Sequence, residues 1–395
     1  MRPVSGLARV VAAAPVCFFA ALQILAQETP VDPDSLSESA IRFPLQLNGF
    51  AVGQYAYDFA SDENSFDATA LNLSVFKAFS DRVSFFGQLA VHLEDDTEFV
   101  GEGEAPLRRR AMRALQSGGS EGASVETEID NLQIAWAASP RHGLQLVFGK
   151  FDSPLTLERD DAPLNLEATR SFLFEFGEPI KFTGLMARQT FSPQFEAYAI
   201  LANGWDVFPD NNKAKTGAVY GVWSPWPIAH FGLGAVYGAE KDDRNGDQRA
   251  TAVATIQVQQ TDNWLWGEQF VYGREPHSAE NGGTAEWFAD EFFTHHRLGK
   301  RWAVTARAEY FDDIGGSRTG RRQILRSFTV SPQYLLGSGF FGLYRTLDRS
   351  TLRIPELTLR LDLRYDHSTE RVFPDRQGEG RNDRFSTTLQ AVYVF

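Results

Sequence analysis

The feature that most constrains this chain is a strict alternation of apolar and polar residues, sustained over segments of about ten residues, the length of a membrane-crossing strand. In Leu357 to Tyr365, the positions Leu357, Leu359, Leu361, Leu363 and Tyr365 are apolar or aromatic, and Thr358, Arg360, Asp362 and Arg364 lie between them. Successive side chains of a strand point to opposite faces, so this segment has one greasy face and one charged face. Trp302, Val304, Ala306, Ala308 and Tyr310 alternate with Arg301, Thr305, Arg307 and Glu309, and Leu45, Leu47, Gly49, Ala51, Gly53, Tyr55 and Tyr57 alternate with Gln46, Asn48, Gln54 and Asp58. A soluble β-sandwich alternates too. Strand length and the frequency of charge on the polar face decide the matter in favour of one surface in lipid and the other in water. Composition agrees: mean hydropathy is −0.29, yet aromatics make up 13% of the chain, with 32 Phe. Beyond the first residues no run of about 18 apolar residues exists to form a membrane helix. Aromatics near segment ends (Tyr55, Tyr57, Phe59; Trp223, Trp226; Trp264, Trp266; Tyr365) fit interfacial girdles.

The expected fold is therefore an all-β, transmembrane antiparallel β-barrel of about 16 strands, at 43–59, 68–79, 82–94, 127–138, 143–151, 179–191, 193–204, 215–225, 228–240, 248–261, 263–274, 284–295, 300–312, 322–335, 356–367 and 385–395. Short connections (Ser80-Asp81, Ser139 to His142, Ser192, Thr261-Asp262) alternate with long polar ones (95–126, 152–178, 205–214, 368–384), as periplasmic turns alternate with external loops in such barrels. The stretch 336–355 is long where a short turn is due; an extra hairpin there would raise the count to 18, and a short periplasmic helix is the alternative. The chain ends on a strand in which Leu389, Ala391, Tyr393 and Phe395 share a face. A terminal Phe behind alternating apolar residues is read as a signal to the barrel assembly machinery.

Residues 1–26 read as a secretory signal peptide: Arg2 and Arg9, then a largely apolar run from Val10 to Leu25, then Ala26 as the cleavage site. Cys17 lies inside that apolar run without the small residue expected before a lipid-modified cysteine, so the mature chain is cysteine-free and independent of disulfides. Residues 27–42 form a periplasmic leader and 43–395 the barrel domain. Loss of two arginines leaves the mature chain more acidic than the −13 of the whole sequence, which excludes nucleic acid as a partner.

Several segments carry a resemblance to a known family. Gly149-Lys-Phe-Asp-Ser-Pro-Leu-Thr-Leu-Glu158, Asp161 to Arg170, Thr183-Gly184 and Asn203-Gly-Trp-Asp206 resemble the OmpL-like β-barrel porins (porin-2 type), as do Ala308 to Asp313, Arg318-Thr-Gly320 and Leu361 to His367. The strand and loop rhythm is also similar, more weakly, to phosphate-selective porins of the O and P type. The resemblance covers essentially the whole mature chain and implies an outer-membrane pore.

Residues at risk of carrying function fall into two groups. The 152–178 loop holds Asp152, Glu158, Asp160, Asp161, Glu167, Glu175 and Glu178 against Arg159, Arg170 and the marginal Lys181. Folded inward it would form an acidic constriction favouring cations; left outside, the same carboxylates would merely solvate an exposed loop. The second group is the inward ladder Arg301, Arg307, Glu309, Arg360, Asp362, Arg364 and Asp366, expected to line the lumen because an Arg on the lipid face costs about 2–4 kcal/mol at the midplane. Arg108-Arg109-Arg110 with Arg113 would meet lipopolysaccharide phosphates or simply remain solvated. His295 and His296 lie on opposite faces of a strand and make no metal pair. Asp242 to Asp247 lacks the distal glutamate of a calcium loop and reads as an Asn-Gly turn. No catalytic motif, metal site or cofactor is expected. These readings add up to an outer-membrane porin: a water-filled channel through which small hydrophilic solutes diffuse, with mild cation preference, set in lipid and lipopolysaccharide and, by analogy with porins of this size, a homotrimer. A channel selective for a sugar, carboxylate or phosphate is the alternative, and an outer-membrane β-barrel enzyme a remote one.

Overall fold

The computed structural model describes residues 45–95, 123–337 and 355–395. The segments read as signal peptide and leader, the arginine cluster at 108–113, and most of 336–355 lie outside them.

The strands are β1 (Gln46–Asp58), β2 (Glu63–Ala78), β3 (Val83–Asp95), β4 (Ala123–Ser139), β5 (Leu144–Asp152), β6 (Lys181–Ser192), β7 (Phe195–Ala202), β8 (Thr216–Trp226), β9 (Ala229–Ala239), β10 (Gln248–Thr261), β11 (Trp264–Glu275), β12 (Ala285–Arg297), β13 (Trp302–Asp313), β14 (Gln323–Leu336), β15 (Leu357–Ser368), the two-residue pair β16 (Phe373–Pro374) and β17 (Gly380–Arg381), and β18 (Asp383–Val394). β1 to β15 and β18 form one closed antiparallel barrel, sixteen strands as the sequence predicts, with β16 and β17 as a hairpin inside the last long loop. Closure joins β1 to β18, from Phe50 opposite Val394 to Asp58 opposite Ser386. At this seam Gly49 is needed: a Cβ there would lie 2.5 Å from the Asn72 carbonyl oxygen and 2.7 Å from the Phe395 ring.

The outward face follows the alternation. Phe148 and Leu233 are 68% and 70% exposed, and Leu359, Leu361, Leu363 and Tyr365 of β15 all face outward. Aromatics cluster at both rims, where Phe59 meets Phe385 at 5.1 Å on the long-loop side and Trp302 meets Tyr334 at 4.7 Å on the short-turn side. Such cross-strand contacts link neighbours where the wall meets the headgroups.

The inward face departs from expectation. Instead of a uniformly polar, wet surface, β5 to β14 carry a buried row that includes Phe151, Phe182, Tyr198, Ile200, Tyr220, Val253, Val271, Trp287, Phe311 and Leu325. These residues break the alternation locally, as in Val271-Tyr272 and Tyr310-Phe311, because they pack against chain inside the barrel. One local expectation also changes. The connection after β9 does not turn at Asn245-Gly246: the positive φ falls on Asp243 (56°), and the Arg244 amide donates to the Lys241 carbonyl at 3.3 Å. Asn245 instead spends its Oδ1 on the Lys213 amide, at 2.8 Å, in the neighbouring loop.

Candidate functional site

The connection from β5 to β6, residues 153–180, folds into the lumen and contacts the wall on many sides. Its apolar residues explain why: Leu155, Leu157, Leu164, Leu173, Phe172 and Phe176 are too many for a solvated loop and bury themselves against the wall. Going inward, Leu157 packs with Leu265 and Phe293 near the short-turn ends of β11 and β12. The one-turn 3-10 helix Ala162–Leu164 then rests on Phe50, Phe76, Val392 and Val394 of β1, β2 and β18. Returning, the π-helical turn Leu173–Gly177 meets Trp287, Phe311 and Leu325. The loop thus crosses the lumen from the β18–β1–β2 seam to β11–β14.

Burial of so many charges requires partners. Arg307 on β13, 1% exposed, is the centre: its Nη1 lies 2.9 Å from Glu158 and 2.6 Å from Glu167, both on the loop, and its Nε lies 2.8 Å from Glu309 on the wall. The same Nη1 donates to the Thr169 carbonyl at 2.9 Å. On β15, Asp362 Oδ2 accepts from the Ala168 amide (3.0 Å), the Thr169 amide (2.8 Å) and the Thr169 hydroxyl (2.8 Å). Arg360 donates to the Ala162 and Asn165 carbonyls at 3.0 and 2.6 Å, and Arg364 to the Arg170 carbonyl at 2.7 Å while pairing with Asp366 at 2.7 Å. Near the seam, Asp161 Oδ1 accepts from Gln88 (2.8 Å) and Asn72 (3.4 Å). On the opposite flank, Lys181 is buried among Asp130, Asp152 and Asp160 at 2.7, 2.8 and 3.2 Å. Charge-assisted bonds of this kind are about twice as strong as neutral ones.

The acidic loop expected from sequence is therefore inside the barrel, and the reading of it as a solvated surface loop is corrected. Its carboxylates are not an open ring either: Asp161 and Glu167 are buried and turned to wall partners, Glu178 accepts from Gln269, and Asp152, Glu158, Asp160 and Glu175 are only partly exposed. Arg159 caps the loop onto itself, its amide donating to Asn165 Oδ1 at 2.8 Å and its Nη1 to the Ser153 carbonyl at 3.0 Å. Arg170 donates to the Asp160 carbonyl at 2.9 Å and lies over the Phe174 ring. Of the expected lumen ladder, Arg307, Glu309, Arg360, Asp362, Arg364 and Asp366 point inward and are buried, whereas Arg301 does not belong to it. Arg301 precedes β13 in the short turn, is exposed, and reaches the Tyr334 hydroxyl at 3.4 Å, because the strand ends before its inward position is covered.

Several partners have no sequence signal of their own. Glu291 on β12 accepts from the Ser171 hydroxyl at 2.8 Å, Trp287 donates to the Gly177 carbonyl at 3.0 Å, and Arg318 Nε donates to the Phe176 carbonyl at 2.6 Å while lying 4.6 Å from the Trp205 ring and 4.9 Å from that of Trp287. The signal that was legible is the loop's apolar content. His295 points inward to Thr305 (2.9 Å) and His296 outward, stacked on Trp264, so the two do not converge. Among the described residues no cluster of His, Cys, Asp and Glu is arranged to hold a metal.

Leu389, Tyr393 and Phe395 all face outward, 51%, 45% and 50% exposed, and the Phe395 amide still donates to the Gly49 carbonyl at 2.9 Å, so the last residue is part of the closing strand pair.

No curated protein matches the sequence. Solved outer-membrane channels share the fold: the channel DcaP of Acinetobacter baumannii superimposes with a TM-score of 0.57 at 10% identity, covering 89% of this chain and 97% of that one. The anion-selective porin from Comamonas acidovorans gives 0.57 at 9% identity (89% and 100% covered), and a loop L8 deletion mutant of OmpT from Vibrio cholerae gives 0.55 at 11% (89% and 99%). At such identities the likeness concerns the barrel alone. The family described as "Putative beta-barrel porin-2, OmpL-like" matches residues 44–395, the whole barrel. A closed sixteen-stranded barrel with a greasy outside and a charged interior, matched by that family along its full length, makes this chain a member of the OmpL-like β-barrel porins, a channel protein of the outer membrane.

Proposed function

We propose that this porin is a narrow diffusion channel in which loop 153–180 controls what passes, admitting small hydrophilic solutes and preferring cations. The observation that carries the reading is the loop's attachment to wall strands on many sides, by Asp161, Ala162, Asn165, Glu167, Thr169 and Arg170. A sixteen-stranded barrel with an empty lumen leaves a wide aqueous channel; one crossed by a bonded loop leaves a restricted path, where fixed charge dominates selectivity. The loop charges that partly face water are mostly acidic: Asp152 and Asp160, with side chains 25% and 23% exposed, Glu158 and Glu175, against Arg170.

A channel for anionic solutes such as carboxylates or phosphate gains less support. The buried Arg307, Arg360 and Arg364 are the groups such a solute would use, and apart from Arg360 Nε their buried donors are taken by loop carbonyls and by carboxylates. Reconstitution in planar bilayers tests the proposal: unitary conductance is expected well below that of an open sixteen-stranded pore, with reversal potentials favouring cations in a salt gradient. Asp160→Lys is expected to lower the cation-to-anion permeability ratio, and an unchanged ratio refutes the assignment of selectivity to this loop. The same reading includes assembly through the terminal strand face of Leu389, Tyr393 and Phe395, and a homotrimer by analogy with other porins, which chemical cross-linking of detergent-extracted protein checks.

A further inference from the structure

Strands β11 and β12 carry two acidic side chains on the outer face of the barrel. Glu268 alternates with the buried Gln269, and Asp290 lies between the buried Ala289 and Glu291, which turns both acids away from the lumen. Phe270 pairs with Asp290 and Glu268 with Phe292, so the two acids are diagonal neighbours. Both lie between two aromatic contacts: the Trp266 and Phe292 rings, 6.3 Å apart, toward the short turns, and the Phe288 and Tyr310 rings, 6.2 Å apart, toward the long loops. Elsewhere the outer wall exposes residues such as Leu233, Phe328 and Leu361. Asp290 Oδ1 is buried without a hydrogen-bond partner, and no cation among the described residues offsets either acid. The flanking wall is low, with Ala252 and Ala254 of β10 on one side and Ala306 and Ala308 of β13 on the other, all facing outward.

We propose that the outer face of β10 to β13 is where a second copy of this chain packs. Ionisable side chains at membrane depth face protein or water rather than lipid tails. Small residues let two walls approach closely, and polar side chains between them bond across the contact. A closed sheet has no free backbone donor to offer, so the group that meets Glu268 and Asp290 is a side chain. Equivalent residues meet one another where the symmetry axis of a homo-oligomer passes, and a carboxyl, which accepts and as the acid also donates, can bond its own copy. Size fits as well: four strands about 4.8 Å apart across an apolar band about 25 Å tall offer on the order of 500 Å² per copy. Specific interfaces begin at about 1,000 Å² in total. The inference deepens the homo-oligomer part of the proposed function and rests on it; channel selectivity plays no part in it.

Photo-crosslinking in outer membranes that contain the full mature protein reads the occupant from the mass of the adduct. With Ala308→p-benzoylphenylalanine, an adduct of two copies of this chain is expected. With Leu132→p-benzoylphenylalanine, on β4 across the barrel, lipid adducts are expected. Lipid at 308 together with two-copy adducts at 132 overturns this face and leaves the homo-oligomer standing; lipid at both positions overturns both. An adduct of a different protein at 308 overturns the second copy as occupant. Asp290→Leu tests the carboxyl itself: the two-copy yield at 308 is expected to fall several-fold, with the folded barrel confirmed by the shift in gel mobility on heating. An unchanged yield from the folded variant overturns the carboxyl as the contact.

Discussion

Replacing Arg307 with Met should release the internal loop while leaving the barrel closed. Arg307 is 1% exposed and holds Glu158, Glu167 and the Thr169 carbonyl of the loop, and Glu309 of the wall, within 2.6–2.9 Å. Methionine keeps much of the volume but removes the charge, leaving carboxylates of loop and wall facing one another in a buried place. Breaking a buried ion pair from one side costs about 3–5 kcal/mol, and every 1.4 kcal/mol is about a factor of ten, so the ratio of docked to undocked loop should fall by roughly a hundred- to a few thousand-fold. The strain is relieved by moving Glu158 and Glu167 into water, which requires loop motion and breaks none of the strand pairing around β13. Single-channel recording is expected to show larger or longer openings, and hydrogen exchange faster amide labelling confined to 153–180. Arg326→Met, which removes an outward-facing arginine set over the Tyr310 ring, is the matched control. Conductance and exchange that match the parent protein, or faster exchange spread evenly through β12 to β14, would refute the role of Arg307 in docking the loop.

Three further outcomes follow from single sites. Outside the membrane, Asp247 bonds Lys241 at 2.9 Å and His277 at 2.8 Å, tying two external loops; the Lys241 hydrogen bond first and His277 second hold its carboxyl down to about 2. Because the folded value is depressed, this tie is complete above the ordinary Asp range near pH 4 and is lost as pH falls toward about 2; exchange at 241–247 should rise only there, and Asp247→Asn should remove the pH dependence. Gly149 has φ +132°, and a Cβ there would lie 2.0 Å from the Leu132 carbonyl oxygen, so Gly149→Ala should cost at least about 1–3 kcal/mol, read as a lower temperature for heat-modified gel migration. Phe395→Ala should lower the amount of folded protein reaching the outer membrane severalfold in cells yet leave refolding into detergent micelles nearly unchanged, since it alters an exposed ring at the assembly face; an unchanged cellular amount refutes the assembly reading.

The barrel was legible because its determinants are local and periodic. Any strand whose one face meets lipid and whose other carries Arg360, Asp362 and Arg364 must alternate, and sixteen such segments with connections of alternating length leave few topologies other than a closed antiparallel barrel. The inward placement of Arg307, Glu309, Arg360 and Arg364 followed from the same period, and Arg301 failed because a periodic rule does not say where a strand stops.

The course of loop 153–180 was decided only in three dimensions. Its carboxylates are as suited to solvent as to a lumen, and nothing local pairs Glu158 with Arg307, Asp161 with Gln88, or Thr169 with Asp362, partners 149, 73 and 193 residues apart. The sequence by itself determined a membrane barrel with charges turned inward, since each strand carries that instruction in its own alternation. Whether the interior would hold water or chain depended on apolar residues of the loop meeting Phe50, Trp287, Phe311 and Val392 across the closed ring, a surface that exists only once the first and last strands have joined.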